Sequence, residues 1–217
     1  VEVKETAAEK AKRIKHLLAN PAAFMAYYFP KMRAMDAYIE KPLRRLLNDP
    51  TYHGWWRMFR GAGKTTILAV VAQMMLMQRL APGETHFLLL VAANDKFARR
   101  LLGNLQAQLE SNERYIADFG HQVTDGHWRQ GEFVTQAGHV FVGIGMEGAS
   151  RGMNVEMGRP TMILATDLDS KELSRNPTRC KEGYDWLMED VYGTFGADSD
   201  TTRFVYDNNY FSTNRIG

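Results

Sequence analysis

Apolar residues follow one period up to about residue 50 and another beyond it. In the first part they recur every three to four residues, the spacing of helices that bury a single stripe. Ile14, Leu17 and Leu18 mark such a stripe in residues 1–20, a stretch otherwise rich in Lys, Glu and Ala. Lys10, Lys12, Arg13 and Lys15 read as its solvated face. Pro21 suits the first turn of a second helix, which carries Phe24, Tyr27 and Tyr28. Pro30 and Pro42 bound a third helical piece with Met32, Met35, Tyr38 and Ile39, and Leu43, Leu46 and Leu47 follow at helix spacing. Asn48-Asp49-Pro50 ends this pattern. Residues 1–50 are therefore expected to form a helical lid or brace.

Beyond residue 50, continuous apolar runs of strand length alternate with helical stretches. Trp55 to Phe59 leads into a glycine turn, and Ile67 to Met77 is apolar enough for a largely buried helix. His86 to Ala92 is an unbroken apolar run, as expected of a strand covered on both faces. Asn94 or Asp95 can cap the next helix, where Phe97, Leu101, Leu102, Leu105 and Leu109 share a face. Residues 132–145 read as a hairpin turning at Gln136-Ala137-Gly138. Thr161 to Asp167 is a second buried strand, a helix follows from about Pro177 to Phe195, and Thr202 to Tyr206 is a last strand. Such alternation predicts right-handed crossovers and an α/β fold with a mostly parallel central sheet flanked by helices. No helix follows the last strand, which places the end of the chain, Gly217, at a domain boundary. Residues 51–217 form the expected core.

Composition narrows the classes. With 217 residues and 45% hydrophobic side chains the chain can bury a large core, and a net charge of +2 requires any basic surface to be local. Cys180 is the only cysteine, which excludes an internal disulfide and suits a reducing cytosol. No apolar run is long enough to cross a membrane, no secretory signal opens the chain, and the histidines lack metal-ligand spacing.

Candidate chemistry lies where strands end. Arg60-Gly61-Ala62-Gly63-Lys64-Thr65-Thr66 joins a strand to a helix, and its glycines let several N–H groups face one point at the helix start. Lys64 suits the terminal phosphates of a nucleotide, and the Thr65 hydroxyl suits magnesium. The leading glycine of the usual pattern is replaced by Met58. Asp167, Asp169 and Glu172 follow a buried strand, so Asp167 is the candidate magnesium carboxylate and Glu172 or Asp169 the residue that positions attacking water, a role open to Asp167 itself if the register shifts by one. Asp207-Asn208-Asn209 ends the last strand at the same edge. Arg151, among Gly145, Gly148 and Gly152, can supply charge to the γ-phosphate from its own chain or a neighbour's.

Over roughly residues 30–217 the chain resembles the ATPase half of the large terminase subunit of tailed phages. Four segments carry the resemblance: Phe59 to Thr66 as a deviant phosphate loop led by Arg60, Gly148 to Gly152 as an Arg-Gly loop, Ile163 to Ser170 as an acidic motif, and Phe204 to Asn209 as a coupling motif in which Asn208 or Asn209 serves. The family usually pairs two acids where this chain has Thr166-Asp167, which leaves the register of the magnesium ligand open. The resemblance implies a P-loop NTPase that uses ATP and Mg²⁺ to translocate double-stranded DNA in the host cell cytoplasm. Implied partners are a portal protein and a small terminase subunit, with a homo-oligomeric ring on the prohead and a monomeric isolated domain. The family's nuclease half is absent after Gly217, so DNA cleavage is not expected. A second reading, a nucleotide-binding regulatory or assembly module with little hydrolysis, rests on Thr166. A P-loop helicase shares the chemistry but lacks visible helicase motifs between residues 90 and 150.

Overall fold

The computed structural model describes residues 5–59, 61–146, 158–169, 175–197 and 199–209. Helix α1 (Ala7–Ala19) starts on a capping box in which Thr6 and Glu9 satisfy each other's backbone N–H groups. Asn20 caps α2 (Pro21–Tyr28), with Pro21 in its first turn as expected. The third helix departs from expectation. It runs as α3 (Ala37–Asn48) straight through Pro42, whereas Met32 and Met35 lie before it. Proline there removes one internal hydrogen bond, and four buried side chains (Ile39, Leu43, Leu46 and Leu47) hold the helix together.

Strand β1 (His53–Met58) leads through the glycine turn into α4, residues 64–77. The middle of α4, Ile67–Val71, is π-helical, and there the Gln73 amide donates to the Leu68 carbonyl at 2.7 Å. After β2 (Phe87–Ala92) come α5 (Asp95–Ser111), which Asn94 caps, and α6 (Glu113–Phe119). The expected hairpin is present as β4 (Glu132–Val134) and β5 (Val140–Gly145), preceded by the short β3 (Trp128–Arg129). Strand β6 (Met162–Thr166) precedes a helical stretch, α7 (Pro177–Asp185), that continues as π and then 3₁₀ turns to Thr194. Strand β7 (Arg203–Asn209) comes last.

The seven strands are ordered β1-β7-β6-β2-β5-β4-β3, with the first five parallel and β4 and β3 antiparallel. Alternate residues of the central strands enter two cores. Leu88, Leu90, Met162, Leu164 and Val205 pack with α4 and the N-terminal helices, and Leu89, Val91, Ile163, Ala165 and Phe204 pack with Leu187 and Val191. Burial of each large aliphatic side chain contributes roughly 1.5–3 kcal/mol. Thus β2 is apolar without alternation because both of its faces are covered.

Arg13 is not simply part of a solvated face. Its guanidinium forks onto Asp118 of α6 at 2.7 and 3.0 Å, and the Tyr28 hydroxyl donates to the same carboxylate at 2.7 Å. Tertiary pairing therefore ties α1 and α2 to the core, while Lys12 and Lys15 remain exposed. A second polar group lies inside the core. Burial pushes His86 down to about 3, so its neutral ring donates from Nε2 to Gln73 (2.7 Å) and accepts at Nδ1 from Thr161 (3.1 Å).

Gly145 ends β5 where the first turn of α5 crosses it, and the Asp95 carboxylate accepts from its N–H at 2.6 Å. A Cβ at this position would press on the backbone of Asn94 and Asp95. Gly145→Ala should therefore destabilise the fold by about 1–3 kcal/mol, read as a lower urea midpoint. An unchanged midpoint would show that α5 can shift away at no cost.

Candidate functional site

Gly61 and Gly63 both have left-handed backbones, with φ of +87° and +76°. A Cβ would find nothing within 4 Å at Gly61 and only Ile67 at 4.0 Å at Gly63. Conformation, not crowding, is thus the demand for glycine here. The turn delivers Lys64 as the first residue of α4, where unbonded N–H groups and the helix dipole favour an anion. Pairing places β1 beside β7 and β7 beside β6, so the glycine loop and both acidic strand ends share one edge. In a parallel sheet this carboxyl edge is where ligands bind.

The Lys64 side chain is buried, with Nζ 3.3 Å from Asp207 Oδ1 and 3.8 Å from Asp167 Oδ1. Asp207 is fully buried. Its Oδ2 accepts from the Thr166 hydroxyl at 3.0 Å, the Thr65 hydroxyl approaches the same oxygen at 3.5 Å, and Oδ1 accepts no hydrogen bond. Burial pushes the Asp207 carboxyl up to about 6, against the opposing pull of Lys64 and Thr166. Asp167 stands at the rim with φ +48°, and its N–H donates to the Asp207 carbonyl at 2.8 Å. Asp167 and Lys64, both anticipated, are therefore brought together with Thr65. Asp207 was placed at this edge by the sequence but given no role; the signal for it was an acid ending the run Phe204-Val205-Tyr206.

Asp169 and Asn208 meet on the other face of the sheet. The Asp169 carboxylate accepts from the Tyr206 hydroxyl at 3.0 Å and from the Asn208 amide, and both Asp169 and Asn208 are buried. Ala62 and Thr66 belong to the loop and the first turn of α4. Arg60, Arg151 and Glu172 lie outside the described residues, and of Asn209 only the backbone in β7 is described.

Two concave features are also present. Residues Met32 to Asp36 cover Gly61 to Gly63 across a cavity of about 120 Å³, and the exposed rings of Tyr38 and Phe59 stand 6.0 Å apart beside the loop. Along α5, an open groove of about 1080 Å³ is lined by Lys96, Arg99 and Arg100 with Asn104 and Gln130. No helix among the described residues is long and apolar enough to cross a membrane.

No protein-family model matches the sequence, and no curated protein is similar to it. Solved structures do match. The large terminase of bacteriophage HK97 superposes with a TM-score of 0.58 over 88% of this chain, at 13% identity. Dbp5 of S. cerevisiae, bound to Nup159, Gle1, IP6 and ADP, gives 0.52 over 89% at 14% identity. Both share the fold of this chain, a mostly parallel central sheet flanked by helices. At these identities the likeness is one of fold, and the chain spans 37% of the terminase and 47% of Dbp5.

Proposed function

We propose that the chain is the ATPase motor domain of a viral DNA-packaging terminase, hydrolysing ATP with magnesium to move double-stranded DNA into a prohead. The observation that carries this reading is the convergence of Lys64, Thr65, Asp167 and Asp207 at the start of α4. Backbone N–H groups of residues 61–65 and the positive end of α4 receive the phosphates. Lys64 turns from its carboxylates to the terminal phosphates, with Arg60, Ala62 and Thr66 completing the loop.

The described residues fit magnesium. Thr65 and one or two carboxylates are hard oxygen donors, and Asp207 Oδ1 accepts no hydrogen bond. The absence of a three-residue His/Cys/Asp/Glu cage among the described residues accords with an ion held partly by nucleotide phosphates. When bound, the ion neutralises charge developing on the β- and γ-phosphates. Thr65 and Asp167 are the ligands the sequence proposes. In the same reading Asp169 or Glu172 positions water, Arg151 adds positive charge in cis or trans, and Asn208 with Asn209 couples hydrolysis to movement. The Asn208–Asp169 contact gives that coupling a physical path.

Residues 1–50 act as a brace over the loop and 51–217 as the motor core, with the exposed rings of Tyr38 and Phe59 as candidates to stack on a base. Lys96, Arg99 and Arg100 give the charge a DNA backbone requires. The terminase resemblance in sequence and the likeness in fold support packaging as the process, and with it a ring on the prohead with portal protein and small subunit. A nucleotide-binding module with little hydrolysis is the second reading, favoured by Thr166 in place of an acid.

Phosphate release from Mg-ATP, measured with and without duplex DNA, RNA or single strands, tests the proposal. Turnover stimulated most by duplex DNA is expected. Stimulation by RNA alone contradicts packaging, and nucleotide binding without turnover under every condition selects the second reading.

A further inference from the structure

We infer that the magnesium-facing carboxylate has moved one strand across the sheet, so that Asp207 on β7 supplies the oxygen that Thr166 at the end of β6 does not. This rests on reading the site as an Mg-ATP site. Thr166 and Asp207 are register partners in parallel strands. Their side chains fall on the same face as Leu164 and Val205, the face packed against α4. Asp207 therefore lies directly beside the Thr65 hydroxyl, at 3.5 Å, in a position that an acid at 166 would share.

The hydrogen bonds fit this division. Thr166 donates its proton to Asp207 Oδ2 and so orients the carboxylate, while Oδ1 accepts no hydrogen bond and stands 3.3 Å from the Lys64 ammonium. In the sheet Asp207 is fully buried between Trp56 and Thr166. A buried carboxylate is costly unless a cation answers it. Asp167 differs in each respect. It stands past the end of β6 in a left-handed backbone, its side chain is 28% exposed, and it is 3.8 Å from Lys64. A rim carboxylate reaches water; a buried one beside Thr65 reaches the metal. The chain thus retains both acids of the usual pair, with the inner one relocated to β7 and Asp167 left to act on water.

The test is binding of a fluorescent ATP analogue to the full chain, titrated with MgCl₂ and repeated in EDTA. Asp207→Asn should lose about ten- to a hundred-fold of the magnesium-dependent gain in affinity. Asp167→Asn should keep that gain while losing turnover. The relocated pair Thr166→Asp with Asp207→Thr should recover it, and carries the test if the single variant does not fold. A full magnesium gain in Asp207→Asn, or ATP binding without that gain in the relocated pair, overturns the inference. Wild-type protein that binds no ATP overturns the Mg-ATP reading instead, so the two failures are distinct.

Discussion

Alanine in place of Lys64 should reduce ATP hydrolysis by at least about 10²–10³-fold and weaken nucleotide binding as well. Lys64 is buried at the first position of α4 and faces carboxylates from two different strands. No small movement of Thr65 or Thr66 replaces its charge, because both bear only hydroxyls. The variant also leaves Asp207 buried without this ammonium, so the carboxyl, already pushed up to about 6, should hold its proton still more firmly. Steady-state phosphate release together with analogue binding checks this. Turnover at the wild-type rate would mean that the loop does not hold phosphates.

The second large effect is expected from Asp167→Asn, which should lower turnover by about 10²–10⁴-fold while the fold and ATP affinity persist. Asparagine preserves the shape of aspartate and is among the few side chains that tolerate φ near +48°, so the backbone at the end of β6 need not change. Lys64 keeps its closer partner, Asp207. Single-turnover hydrolysis with pre-bound nucleotide separates chemistry from binding. Hydrolysis undiminished in Asp167→Asn would move the catalytic carboxylate to Asp169 or Glu172.

How much of this was legible in the sequence depended on the range of the interactions involved. The buried strand at residues 87–92 and the hairpin were readable because apolar runs and glycine turns are local signals. Asn94 and Pro21 were readable because capping reaches only a few residues. Pro42 misled because a local helix breaker was overruled by four buried neighbours in α3. Arg13 misled because its partner, Asp118, is 105 residues away. The short elements α6 and β3 carry too little periodicity to announce themselves. At the candidate site, motif spacing led to the expectation that Lys64, Thr65 and Asp167 share one edge, whereas the position of Asp207 beside them depends on which strand lies beside which. The order β1-β7-β6 sets the last strand between the strand that leads into the glycine loop and the strand that Asp167 follows, and spacing alone does not encode that neighbour.

The most direct measurement of the central claim is an equilibrium titration of the purified chain with ATP in the presence of magnesium. The predicted result is one nucleotide per chain, displaced by ADP and lost in Lys64→Ala. A folded wild-type chain that stays unliganded at the top of the micromolar-to-millimolar range usual for enzyme substrates would contradict the account. So would a Lys64→Ala chain that binds Mg-ATP as tightly as wild type.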